Sequence, residues 1–171
     1  MATYAAFLRA INVGGTGKLP MADLRDLCEG LGLRRVQTYV QSGNVVFRTR
    51  KGATRVQGEL ERALAERMDK PVPVLLRSEA ELGALVERNP FPEAAPNRLL
   101  IYLTDAVIDE AAVTTCPTPG GERLQLGERA IYVWYPEGQG RSKLKVPHVQ
   151  GATARNLRTL TKVLGLMRAS S

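Results

Sequence analysis

The chain has 171 residues, is 44% hydrophobic and 24% charged, and carries a formal charge of +7. These proportions are those of a globular protein and exclude disordered, collagen-like and coiled-coil classes. A chain of this length can bury roughly 70% of its unfolded surface without disulfide or metal staples.

No apolar run nears the roughly 20 residues that span a bilayer, and Met1-Ala2-Thr3-Tyr4 lacks the basic start of a signal peptide, so a cytoplasmic location and no membrane partner are expected. Residues 1–137 hold 17 Lys and Arg against 17 Asp and Glu, whereas residues 138–171 hold seven cations and no acid. The whole excess charge lies in the last 34 residues, which favours an anionic partner. A second acid-free interval, Gly30 to Gly58, carries Arg34, Arg35, Arg48, Arg50, Lys51 and Arg55. Cys28 and Cys116 stand apart with no Cys-x-x-Cys, and His148 is the only histidine. Reduced thiols, no zinc site and no cofactor are expected.

Tyr4–Leu8 is a short apolar run that ends in the glycine-rich stretch Asn12–Gly17, a strand followed by a loop. Pro20 suits a first helical turn, and Met21, Leu24, Leu27, Cys28 and Leu31 recur at helical spacing, with Gly30 and Gly32 as a stop. Val36–Val40 and Val45–Arg48 flank Gln41-Ser42-Gly43-Asn44, the pattern of a hairpin. Val56, Leu60, Leu64 and Met68 mark the next helix, and Val72–Leu76 reads as a strand whose Pro73 places it at an edge or a strand start. Ser78-Glu79-Ala80-Glu81 matches a capping box for a helix that ends before Asn89-Pro90-Phe91-Pro92. Beyond that corner, Leu99–Leu103 predicts a strand and Val107, Ile108 and Ala111 a helix. Arg123–Leu126 and Ile131–Tyr135 predict a hairpin turning at Gly127-Glu128. Leu157, Leu160, Leu164 and Met167 form the stripe of a last helix, with Thr153 as its N-cap. The order is βαββαβ over residues 1–78 and βαββα over 79–171: an α+β class in two tandem halves with antiparallel sheets.

The loop Gly14–Leu19 invites comparison with a nucleotide phosphate loop but departs from it twice. Asn12 stands where the first glycine belongs, and Leu19 where magnesium needs Ser or Thr. Gly138–Leu144 concentrates glycine freedom, Arg141, Lys143 and the Ser142 hydroxyl in one loop, suited to a phosphate or carboxylate. Arg155, Arg158 and Lys162 are expected on one face of the last helix, away from its leucine stripe. Tyr39–Asn44 offers uncharged donors and acceptors at a hairpin tip, a pattern also typical of ordinary turn chemistry. Tyr132 and Trp134 share a strand face and Tyr135 takes the other; core packing is expected over base stacking. No Gly-x-Ser-x-Gly surrounds any serine, and no carboxylate pair recommends glycoside hydrolysis.

Phe7-Leu8-Arg9-Ala10-Ile11-Asn12-Val13-Gly14-Gly15, Tyr39–Phe47, Gly140-Arg141-Ser142-Lys143-Leu144 and Thr153-Ala154-Arg155-Asn156 together resemble the bacterial domain-of-unknown-function family DUF1697 over nearly the whole chain. Ala10 stands where the family often has glycine, and Leu157 where it often has an aromatic residue. The resemblance implies two ferredoxin-like halves and supplies no activity.

The residues lead first to an anion-binding protein, with a nucleotide, nucleic acid or phosphorylated metabolite held by Arg141, Ser142, Lys143, Arg155 and Asn156. Arg9, Asn12, Ser42 and Asn44 complete the site if the halves face each other. The rivals are a metal-independent enzyme acting on a small phosphorylated or carboxylated substrate, and a structural module that pairs with a partner. Nothing in the residues specifies an oligomeric state.

Overall fold

The computed structural model describes residues 1–9, 18–39 and 43–170. Strand β1 (Ala2–Leu8) is followed by α1 (Met21–Gly30), the strands β2 (Arg34–Tyr39) and β3 (Asn44–Thr49), α2 (Ala53–Met68) and β4 (Val74–Ser78). Helix α3 (Glu79–Glu87) leads to β5 (Leu99–Leu103), α4 (Glu110–Thr114), β6 (Arg123–Gly127), β7 (Ala130–Trp134), a 3-10 turn at Gln139–Arg141, β8 (Thr153–Asn156) and α5 (Leu157–Ser170). Two four-stranded antiparallel sheets result, in the orders β2-β3-β1-β4 and β6-β7-β5-β8. The β-α-β-β pattern and the strand order repeat, as in tandem ferredoxin-like halves; β8, a strand absent from the expected order βαββα, stands where β4 does and is reached from β7 through a 3-10 turn rather than an α-helix. The chain forms two compact units, Met1–Leu82 with Val163–Ser171, and Gly83–Lys162.

In the first unit β1 lies between two partners, which explains its unbroken apolar run: Ala5, Ala6, Phe7 and Leu8 are all buried. Ala6, Leu8, Val45 and Phe47 meet Leu24 and Cys28 of α1 and Val56, Leu60 and Leu64 of α2 on one face. Burial pushes the Cys28 thiol up to about 12, so it serves as a core side chain rather than a nucleophile. Helix α1 ends on Gly32 at φ +83, with Leu33 N–H on the Cys28 carbonyl (3.2 Å) and Gly32 N–H on that of Glu29 (3.0 Å). This paired closure needs a left-handed residue, which glycine adopts without strain. The capping box at α3 is reciprocal: Ser78 N–H donates to Glu81 Oε1 (2.8 Å) and Glu81 N–H to Ser78 Oγ (3.2 Å). Strand β4 starts just after Pro73 and is an edge strand, as a proline there requires.

In the second unit Leu100, Ile131, Val133 and Tyr135 pack with Val113 of α4, and Leu144 and Val146 join them from the long β7–β8 connection. That connection occupies the place in the chain that α2 takes in the first half. Tyr132 is also buried, its hydroxyl donating to the Leu85 carbonyl (2.6 Å). Trp134 packs at 5.8 Å on Phe91, and the Arg123 guanidinium lies over both rings.

Three local expectations are corrected. Thr153 does not cap the last helix: residues Thr153–Asn156 pair with β5, and Asn156 Oδ1 accepts the Thr159 N–H (2.9 Å) as the cap. Arg155 therefore stands on a strand and shares no helical face with Arg158 and Lys162. Val107 is 93% exposed and lies ahead of α4, which Asp109 caps by accepting the Ala111 N–H. The β6–β7 hairpin pairs Gly127 with Ala130 and turns at Glu128-Arg129, with Arg129 at φ +54 and paired to Asp105. No helix among the described residues is long and apolar enough to cross a membrane.

Candidate functional site

The β7–β8 connection leaves Tyr135, turns at Gly138 (φ +83), and winds through one 3-10 turn before Ser142. Gly138 N–H returns to the Tyr135 carbonyl (3.0 Å) and Ser142 N–H to that of Gln139 (3.1 Å), so the loop has a defined path. Its walls enclose a pocket of about 330 Å³ lined by Gly120, Glu122, Tyr135, Arg141, Ser142 and Lys143, among others. A neighbouring pocket of about 410 Å³ shares Tyr135 and Ser142 and adds Tyr102, Gln139, Lys145 and Val149.

The fixed point between the loops is Glu122, a carboxylate only 6% exposed. Its Oε2 accepts the Ser142 hydroxyl (2.7 Å) and its Oε1 the Gly120 N–H (2.9 Å). The Ser142 hydroxyl oxygen accepts the Leu144 N–H in turn (3.1 Å). The bond from Ser142, with that from Gly120 N–H, holds the Glu122 carboxyl below the usual carboxylate range against the opposing effect of burial. It is ionised at neutral pH, yet no basic side chain lies within ion-pair distance of it among the described residues. A methyl group at Gly120 would come within 2.5 Å of Glu122 Oε2; glycine there leaves room for the carboxylate. Arg141 and Lys143 are exposed on the pocket wall and have no hydrogen-bond or ion-pair partner among the described residues. Behind them the Tyr135 and Tyr102 hydroxyls share a 2.8 Å bond, and burial with that bond pushes the Tyr135 phenol far up. It stays neutral at any physiological pH.

The predicted site residues separate into groups. Arg141, Ser142 and Lys143 share the pocket, but the Ser142 proton is committed to Glu122, so Ser142 holds the loop rather than presenting a free donor. Arg155 pairs with Ile101, whereas Tyr102, one residue on, faces the side that carries Tyr135; Arg155 therefore lies on the opposite face of the sheet. Its guanidinium donates to Thr153 Oγ1 (2.8 Å) and the Ala154 carbonyl (2.9 Å), and burial pulls it down to about 10, leaving it a cation at neutral pH. Asn156 caps α5. In the other unit, Arg9 N–H donates to the Pro73 carbonyl (3.0 Å), and buried Asn44 donates to the Tyr39 carbonyl (2.9 Å). Asn12, the glycine-rich loop around it, and Ser42 lie outside the described residues.

Sequence reasoning missed Glu122 and Tyr102, and it read Tyr135 as a packing residue, which it is, without its place on the pocket wall. Only the glycines at 120 and 121 beside a carboxylate hint at Glu122, and its partner stands 20 residues away. Among the described residues no three His, Cys, Asp or Glu gather to hold a metal ion.

Residues 1–132 match the family described as Protein of unknown function (DUF1697). The chain belongs to this family. The match ends before the loop that lines the pocket. Among solved structures, the conserved bacterial protein SP0830 from Streptococcus pneumoniae is similar at a TM-score of 0.81 and 27% identity, over 97% of this chain and 98% of that one. No curated protein matches.

Proposed function

We propose that this DUF1697 protein binds a small phosphate- or carboxylate-bearing molecule in the second unit, with Arg141 and Lys143 as the partners of the anion. One observation carries the reading: two cations with no partner among the described residues line one pocket on a loop pinned by the Ser142–Glu122 bond. Side chains already engaged with the protein would have to give up those bonds to take a ligand; these two do not. Arg141 suits a bidentate contact, Lys143 a point charge. Binding is favoured over acid–base catalysis, because a carboxylate held below its usual range is a weak base at neutral pH. A reducing, cytoplasmic setting belongs to the same proposal and is supported by the free thiols of Cys28 and Cys116.

Calorimetry with inorganic phosphate and ethyl phosphate tests the reading. Arg141→Ala should weaken binding by about 1.5–3 kcal/mol, a ten- to hundredfold loss, the usual worth of a hydrogen bond to a charged group. Absence of binding to the wild-type protein at low salt refutes it, as does indifference of the affinity to Arg141.

A further inference from the structure

The anion site leaves one charge unexplained, that of Glu122. The residue is 6% exposed and lines the pocket, its carboxylate is ionised, and the groups that bond it, the Gly120 and Glu122 N–H and the Ser142 hydroxyl, are neutral. Those neutral donors favour the ionised form but carry no charge themselves, so the negative charge of Glu122 is presented to the pocket. Fixing two loops together does not demand a charge, since a glutamine carbonyl would accept one bond and a shorter polar side chain another. The pocket as a whole is also balanced: Arg141 and Lys143 face it together with Glu122 and Glu137. A purely anionic ligand would meet two carboxylates as well as two cations.

We infer that the ligand is a zwitterion, a small molecule with a phosphate or carboxylate at one end for Arg141 and Lys143 and an ammonium group at the other for the free lone pair of Glu122. A carboxylate offers about four acceptor positions, so the bonds from Gly120, Ser142 and its own backbone N–H leave about one for an ammonium donor. Held below the usual carboxylate range, Glu122 is charged at neutral pH, where an amine is protonated. Tyr135, neutral and already bonded to Tyr102, contributes an uncharged wall. The inference rests on the anion reading above and adds to it which anion is selected and by which residue.

Full-length protein titrated with O-phosphoethanolamine and with ethyl phosphate, which lacks only the amine, decides it. The zwitterion should bind at least about tenfold tighter. In Glu122→Gln that preference should vanish, because O-phosphoethanolamine should lose about tenfold more affinity than ethyl phosphate until the two bind alike. Because Glu122→Gln also disturbs the loop, Gly120→Ala serves as a second variant. It keeps the charge but displaces the carboxylate at its flexible end, and should likewise reduce the preference. Equal wild-type affinity for the two probes, or equal weakening of both by Glu122→Gln in folded protein, overturns the zwitterion while the anion reading stands. Failure of both probes to bind removes the anion reading itself.

Discussion

At Gly127 an added methyl group would come within 2.6 Å of the Tyr132 ring. That ring cannot yield easily: it is 2% exposed and its hydroxyl is tied to the Leu85 carbonyl. Gly127→Ala should therefore destabilise the fold by about 1–3 kcal/mol, the usual cost of overpacking, read as a lower midpoint in urea. Glu122 makes a prediction of a different kind. Its folded pKa lies below the ordinary 4.5, so its contribution to stability is complete above about pH 4.5 and is lost as pH falls through the folded value. Replacing it by glutamine removes that titration. Stability measured between pH 5 and pH 2 should fall less steeply in Glu122→Gln than in the wild type, and parallel curves would show that the Ser142 bond does not distinguish its protonation states.

Among the elements, α5 depends on a cap that was legible only in part. The stripe of Leu160, Val163, Leu164 and Met167 is buried as helical spacing demands. Its start is set by the sheet. Thr153, Ala154 and Arg155 read equally well as a first helical turn, but pairing of Thr153–Asn156 with β5 extends them and moves the cap to Asn156. Asn156→Ala should cost about 0.5–2 kcal/mol in thermal or denaturant unfolding, whereas Thr153→Ala should show no loss from a helix cap. The turn at Glu128-Arg129 was misplaced by one residue for a similar reason. A glycine draws the eye, yet Gly127 is the last strand residue, kept small by Tyr132, while Arg129 takes the left-handed position.

Over the whole molecule, the excess of charge in residues 138–171 divides into different roles. Arg155 is spent on Thr153 and Ala154, and Arg168 lies 4.0 Å from Glu79. Arg141, Lys143, Lys145, Arg158 and Lys162 remain exposed. If a polyanion is the partner instead of a small molecule, Arg158→Gln and Lys162→Gln should each lower the salt slope of heparin binding by about one, as Arg141→Ala does. If the pocket is the site, those two substitutions should leave phosphate-ester affinity unchanged and Arg141→Ala alone should lower it. Salt-dependent heparin chromatography beside the calorimetric titrations separates the cases.

The sequence by itself determined the α+β class, the repeated β-α-β-β order, the capping box at Ser78 and the concentration of cations near Arg141. Each of these is written in local periodicity, turn chemistry or composition, where a residue's neighbours in the chain decide its state. Tertiary structure alone decided that Glu122 and Ser142 would meet, that β8 would form, and that Arg155 would turn to the opposite face from Tyr102 and Tyr135. The reason is that strand pairing and loop closure join residues far apart in sequence. A slip of one position along a strand reverses the face of every side chain on it, and no local pattern in Thr153-Ala154-Arg155-Asn156 specifies that register.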